Sequence, residues 1–186
     1  MAQPLWDIDP SWTLFLDRDG VINQRIAGDY VRNWEQFLFC EGSLESIIAL
    51  RPHFGRIVVV SNQQGVGKGL MTDADVEQLH FRLQTRLEEQ GSRLDAIYYC
   101  PDLAGPHSTC RKPKTGMAWQ AKADFPEINF RRSIMVGDSI SDMEFAQQLG
   151  MKRVFIEGKA EEAEQSKNDD FDLRLLALAD LLPFVV

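Results

Sequence analysis

The chain has 186 residues, 44% hydrophobic and 26% charged, with a net charge of −8, which is an ordinary soluble composition large enough for one domain around one core. That balance excludes a broad nucleic-acid or anionic-membrane surface while leaving room for a local basic pocket, and no apolar run reaches the roughly 18 residues that a membrane span requires. The acidic start at 1–10 lacks a secretory pattern and the three cysteines, an odd count, make no disulfide framework, so a reducing, cytoplasmic setting is expected.

In chain order, the first predicted strand is Thr13–Asp17, followed by a helix at Ser43–Leu50 with Leu44, Ile47 and Ile48 on one face. The next strand, Arg56–Ser61, contains Ile57-Val58-Val59-Val60, a continuous apolar run suited to burial on both faces of a parallel sheet. Thr72 begins a longer helix with acids in its first turn and Val76, Leu79, Leu83 and Leu87 at helical spacing, stopped by Gly91. Asp95–Cys100 is a further strand, and residues 100–113 form the one long irregular loop. Helix Thr115–Ala123, strand Ser133–Gly137, helix Ser139–Leu149 and strand Arg153–Ile156 follow. Residues 157–170 read as an exposed connection and Arg174–Leu182 as a last short helix. Strands alternating with helices predict a doubly wound α/β fold, a three-layer sandwich about a mainly parallel sheet, in a single domain over 1–186.

Chemistry-bearing residues fall at the carboxyl ends of these strands. Asp17 and Asp19 are one residue apart after the first strand, and alternation can point both the same way. Two converging carboxylates repel unless a cation or a shared proton offsets them. By themselves they read first as a turn with solvated acids. After the second strand come Ser61, Asn62 and Gln63, a hydroxyl and amides suited to phosphate oxygens. Arg111 and Lys112 bring fixed positive charge before a helix, and Asp138 and Asp142 lie at and just beyond another strand end. Gly65-Val66-Gly67-Lys68-Gly69 fails the Walker pattern, which requires Ser or Thr after the lysine. His53 and His80 read as structural or solvent-facing, Trp34, Phe37 and Phe39 as packing, and Cys40 as a buried small apolar residue.

From about Thr13 to Phe155, the chain resembles the haloacid dehalogenase-like (HAD) phosphohydrolases. Asp-x-Asp-Gly-Val, Ser-Asn-Gln, Lys-Pro and Gly-Asp-x-x-x-Asp match that superfamily's four motifs. The finer pattern, Asp-Arg-Asp-Gly-Val-Ile-Asn, Ser-Asn-Gln-x-Gly and Tyr-Tyr-Cys-Pro with Cys-Arg-Lys-Pro, is similar to the subfamily of heptose bisphosphate and histidinol-phosphate phosphatases. The resemblance implies a Mg2+-dependent phosphomonoesterase on a HAD-like fold without a large cap. Asp17 would be the nucleophile and Asp19 the proton shuttle. The ion would be held by the Asp17 carboxylate, the Asp19 backbone carbonyl and Asp138. Ser61, Asn62, Gln63 and Lys112 would bind phosphoryl oxygens, Arg111 would meet substrate, and Asp142 would orient Lys112 or a metal-bound water. The loop around Gly28-Asp29-Tyr30 would touch substrate, although it is slightly longer here than in the heptose enzymes.

Many relatives hold structural zinc in the loop that is residues 100–110 here, but this chain carries Asp102 and Ser108 where ligands would stand. Zinc on Cys100, His107 and Cys110, with Asp102, is the minor reading; a loop shaped by packing and hydrogen bonds is the major one. The leading substrate is a small phosphorylated metabolite, D-glycero-D-manno-heptose 1,7-bisphosphate. Histidinol phosphate, a polynucleotide 3′-phosphate and a non-catalytic phospholigand-binding role are the alternatives. A monomer, with no nucleic-acid or membrane partner, is expected.

Overall fold

The computed structural model describes residues 4–185. Six strands, β1 (Thr13–Leu16), β2 (Arg56–Asn62), β3 (Ala96–Cys100), β4 (Ser133–Gly137), β5 (Lys152–Ile156) and β6 (Leu173–Leu175), form one sheet in the order β3-β2-β1-β4-β5-β6. Every pairing is parallel. The helices are α1 (Ser43–Leu50), α2 (Gln64–Gly67), α3 (Asp73–Glu88), α4 (Gly116–Asp124), α5 (Ile140–Leu149), α6 (Ala160–Gln165) and α7 (Leu182–Val185).

Strand alternation divides the apolar runs between two cores. Leu14, Leu16, Ile57, Val59, Ile134, Val136, Val154 and Ile156 pack with residues of α1, α3 and the C-terminal segment. Phe15, Val58, Val60, Met135 and Phe155 pack on the other face with Met117, Ala118 and Ala121 of α4 and Met143, Phe145 and Ala146 of α5. A strand buried on both faces has no polar side, which is why its middle reads as continuous hydrophobics. Strand order reverses at β1, flanked by β2 and β4, and ligands bind above such a switch point.

Local chemistry sets the two helices nearest that point. Thr72 caps α3: its Oγ1 accepts from the Asp75 amide at 3.2 Å, and Asp75 Oδ2 accepts from the Thr72 amide at 2.8 Å. Val76, Leu79, Leu83 and Leu87 then face the core. At α5, Asp142 Oδ2 accepts from the Ser139 amide at 3.1 Å and the Ser139 hydroxyl at 2.7 Å. Among the described residues, the segments after β1 and β2 carry only a 3-10 helix (Trp34–Gln36) and α2 before the next long helix, so neither inserts a cap domain.

Four expectations are corrected. Residues 157–170 are not merely an exposed connection, since they contain α6. The helix expected at 174–182 is instead β6 followed by a 3-10 helix, Leu178–Leu181. Only three residues long, β6 has too little alternation to read locally, and it exists through its register with β5, Phe155 opposite Arg174. Finally, Cys100 and Cys110 form a disulfide with Cα atoms 5.5 Å apart, where no disulfide was expected. Both cysteines border the long loop, which folds back on itself and brings its ends together. Cys40 is a half-buried free thiol rather than a core residue.

Candidate active site

The strand ends converge as their positions required. β1 delivers Asp17, buried, and β4 delivers Asp138, whose neighbour across the turn is Gly20. Gly20 has φ +94°, and a Cβ there would stand 2.1 Å from Asp138 Oδ2, so only glycine permits this approach. Lys112 is almost fully buried between three oxygens: Asp142 Oδ1 at 2.6 Å, Asp17 Oδ1 at 2.9 Å and the Val60 carbonyl, which accepts from Nζ at 2.6 Å. Asn62 pins the Lys112 backbone, accepting from its amide at 2.9 Å and donating to its carbonyl at 3.2 Å.

Asp19 is held by a separate set of donors. Arg18 Nη2 donates to both its oxygens at 2.9 Å, Asn23 Nδ2 to Oδ1 at 2.9 Å, and Gln63 Nε2 to Oδ2 at 2.7 Å. Gln63 also donates to Ser61 Oγ at 2.8 Å, so Ser61 and Gln63 lie buried behind the acids. Arg18 is wholly buried, with Nη1 3.2 Å from His80 Nε2 and its guanidinium over the Phe37 ring.

Electrostatics separates the two leading acids. Burial pushes the Asp17 carboxyl up to about 7, with Lys112 opposing and Asp142, Asp138 and Asp19 adding to the rise. Burial also pushes Asp19 up, yet Arg18, Asn23 and Gln63 outweigh it and hold Asp19 below the usual carboxylate value. Asp138 is raised by burial despite Arg25. Burial opposes the charge on Lys112, but Asp142 and Asp17 outweigh it and raise its pKa.

A cavity of about 280 Å³ opens over these groups, lined among others by Asp17, Asp19, Asn62, Arg111, Lys112 and Asp142. Its volume is near the lower end for small-molecule sites. The 24–34 segment contributes Arg25, Ile26, Asp29, Tyr30 and Val31, and the 157–170 segment contributes Lys159 and Glu162. Arg25 and Lys159 were not singled out by sequence reasoning. Arg25 Nη2 donates to Asp138 Oδ1 at 2.8 Å and to the Asp19 carbonyl at 3.2 Å, while Lys159 Nζ is 3.5 Å from Asp138 Oδ1. No motif contains either residue, and nothing in the sequence separated Arg25 from Arg32 in the first segment or Lys159 from Lys167 in the second.

The donor set fits a hard divalent cation. Asp17, Asp138 and Asp142 each offer an oxygen, all within 4.8 Å of one another. The Arg25 guanidinium already places positive charge on Asp138 Oδ1 and the Asp19 carbonyl, a stand-in for a metal ion at two oxygens named from sequence. The zinc reading of the other loop meets a different arrangement. Cys100, Asp102 and Cys110 are gathered without His107, and the two sulfurs are bonded to each other. Fewer than the four Cys or His ligands of a closed zinc site are therefore available.

The same features recur in known proteins. A family model described as "HAD-hyrolase-like" matches residues 109–180. A D-glycero-alpha-D-manno-heptose-1,7-bisphosphate 7-phosphatase of Mycobacterium tuberculosis is 45% identical over 138 residues, covering 74% of this chain and 73% of that protein. The chain belongs to the heptose-bisphosphate phosphatase family of HAD hydrolases. As a member of that family it is a phosphoric monoester hydrolase. Its relative of the same name from Campylobacter jejuni is 33% identical, covering 92% of this chain and 94% of that one. Among solved structures, the family's D,D-heptose 1,7-bisphosphate phosphatase from B. bronchiseptica, complexed with magnesium and phosphate, superposes with a TM-score of 0.84 at 26% identity. That match covers 92% of this chain and 96% of the other.

Proposed function

We propose that this chain removes the 7-phosphate of D-glycero-D-manno-heptose 1,7-bisphosphate, using Mg2+ and an aspartyl-phosphate on Asp17. The observation that carries the reading is the meeting of Asp17, Lys112, Asp138 and Asp142 beneath a cavity whose lining brings in Arg25, Arg111 and Lys159 beside Asp29 and Glu162. The relatives' printed activity and the magnesium and phosphate of the B. bronchiseptica enzyme support it. When bound, Mg2+ neutralises the acid cluster and draws charge from the transferring phosphoryl oxygens.

Asp17 attacks phosphorus through a carboxylate oxygen; the P–O bond to the sugar breaks, and the sugar oxygen takes a proton from Asp19. Water then attacks the aspartyl-phosphate and gives its proton to the Asp19 carboxylate. The P–O bond to Asp17 breaks, releasing inorganic phosphate. Arg18, Asn23 and Gln63 hold Asp19 ionised at rest, which prepares it for the second proton transfer. For the first, Asp19 must carry a proton, so substrate has to loosen it from Arg18. Lys112 holds the Asp17 oxygens in position and, with Asn62, offers donors to the phosphoryl group. Ser61 and Gln63 act from behind by supporting Asp19. Arg111 meets the phosphate that is not cleaved.

Among the described residues, no helix is long and apolar enough to cross a membrane. The test is a Mg2+-dependent panel of both heptose bisphosphate anomers, matched monophosphates, histidinol phosphate and a 3′-phosphorylated oligonucleotide, ranked by kcat/KM. A heptose bisphosphate should rank first. Histidinol phosphate or the oligonucleotide outranking it would overturn the substrate assignment.

A further inference from the structure

Arg25 has two features that its present contacts do not explain. It is a long, 40% exposed side chain from an irregular loop, yet its tip reaches the floor of the cavity. Through one nitrogen, Nη2, it donates both to Asp138 Oδ1 and to the Asp19 carbonyl. These are two of the oxygens assigned to the divalent ion. An ion coordinating them needs their lone pairs at shorter range than a guanidinium nitrogen, so both cannot serve the same oxygens together. Like charge would also drive the guanidinium away from a bound divalent ion.

A displaced Arg25 stays tethered beside a cavity whose wall already carries Arg111 and Lys159. Arg111 Nη1 is buried there with no hydrogen-bond partner. A bisphosphate presents one phosphate to Asp17 and Lys112, leaving the second to be matched by the cations farther out. A guanidinium suits that role because its planar fork binds two phosphate oxygens together.

We propose that Arg25 exchanges partners in the catalytic cycle: it holds Asp138 and the Asp19 carbonyl until a divalent ion takes those oxygens, then binds the uncleaved phosphate. Arg25 is thus both an internal competitor of the metal and a determinant of bisphosphate specificity. The second half rests on the sugar-bisphosphate reading above; the first does not.

Titration calorimetry with Mg2+ alone, on the full chain without substrate, tests the first half. Arg25→Met should bind Mg2+ about tenfold more tightly than the unaltered protein, because the competing ion pair is gone. Arg25→Lys, which keeps the charge, should fall between them and guards against a folding defect in the first variant. Unchanged or weaker binding by Arg25→Met overturns the exchange. At saturating Mg2+, Arg25→Met should raise KM for the heptose bisphosphate about tenfold more than for p-nitrophenyl phosphate, which has no second phosphate. Equal effects on both overturn the specificity role. If the unaltered enzyme does not prefer bisphosphate to monophosphate, the substrate reading falls, and the Mg2+ titration still decides the exchange at Asp138.

Discussion

Asp19 accepts hydrogen bonds from Arg18, Asn23 and Gln63, whereas Asp17 meets the lone buried amine of Lys112 and lies among other acids. Carboxylates one residue apart therefore differ in proton affinity, and environment assigns their roles more than residue type does. The proton-transfer role proposed for Asp19 leads to an expectation for Asp19→Asn. A p-nitrophenolate leaving group needs no proton, so the first step should survive, while hydrolysis of the aspartyl-phosphate should slow by about 10²–10⁴-fold. Rapid-mixing assays with p-nitrophenyl phosphate should show a burst close to one p-nitrophenolate per enzyme, then a slow steady state. Steady turnover at the unaltered rate, or no burst at all, would contradict the assignment. At this scale, Asp17, Asp19, Ser61, Asn62 and Asp138 were legible as polar residues at or just beyond the ends of apolar strands, and Arg111, Lys112 and Asp142 through the short motifs that contain them. Arg25 and Lys159 were not, because a cation outside any motif reads the same whether it faces solvent or a cavity.

At the scale of elements, β4 and α5 work as one unit. Asp142 ties down the first turn of α5 through Oδ2 and holds Lys112 through Oδ1, so the helix start and the buried lysine share one side chain. This requires β4 and α5 to approach closely at Gly137, where a Cβ would stand 2.3 Å from Asp142 Cβ. Gly137→Ala should therefore push the helix start outward, costing about 1–3 kcal/mol by urea denaturation and lowering kcat as Lys112 loses its partner. An unaltered midpoint with full kcat would show the approach to be less tight. The strand and helix pattern was largely readable here, since long periodic segments carry their own signal. Residues 157–170 and β6 were misread for opposite reasons. The first is charged, yet two of its side chains turn inward to the cavity; the second is short, and its pairing partner lies far away in sequence.

Across the whole molecule, buried titratable groups give stability a dependence on pH. His80 is neutral against the Arg18 guanidinium; burial and that charge push its pKa down to about 3 from 6.5. The unfolded chain takes up a proton below about 6.5 and the folded one does not, so the His80 contribution is complete above that pH and is lost as pH falls toward 3. Asp17 acts with the opposite sign. Its carboxyl is raised to about 7, so its contribution is complete below the ordinary carboxylate range and is lost as pH rises toward 7. His80→Gln keeps an acceptor for Arg18 without titrating. Measured against its own pH 7 value, the urea midpoint of the variant at pH 4.5 should thus lie higher than that of the unaltered protein, whichever sign Asp17 gives the remaining difference. The His80 share of the difference is about 2–3 kcal/mol. Equal pH sensitivity in both would assign the acid loss to other groups.

The sequence alone determined the sheet's central strands, the main helices, the absence of a cap and the family, because those features are written as local periodicity and short contiguous motifs. Tertiary structure decided which cations face the acids, that Cys100 and Cys110 are joined, that β6 forms one edge of the sheet and that Asp19 is held ionised. Each of these depends on chain segments far apart in sequence meeting in space, and on the burial that follows from the meeting. Neither quantity belongs to any window of residues read in isolation.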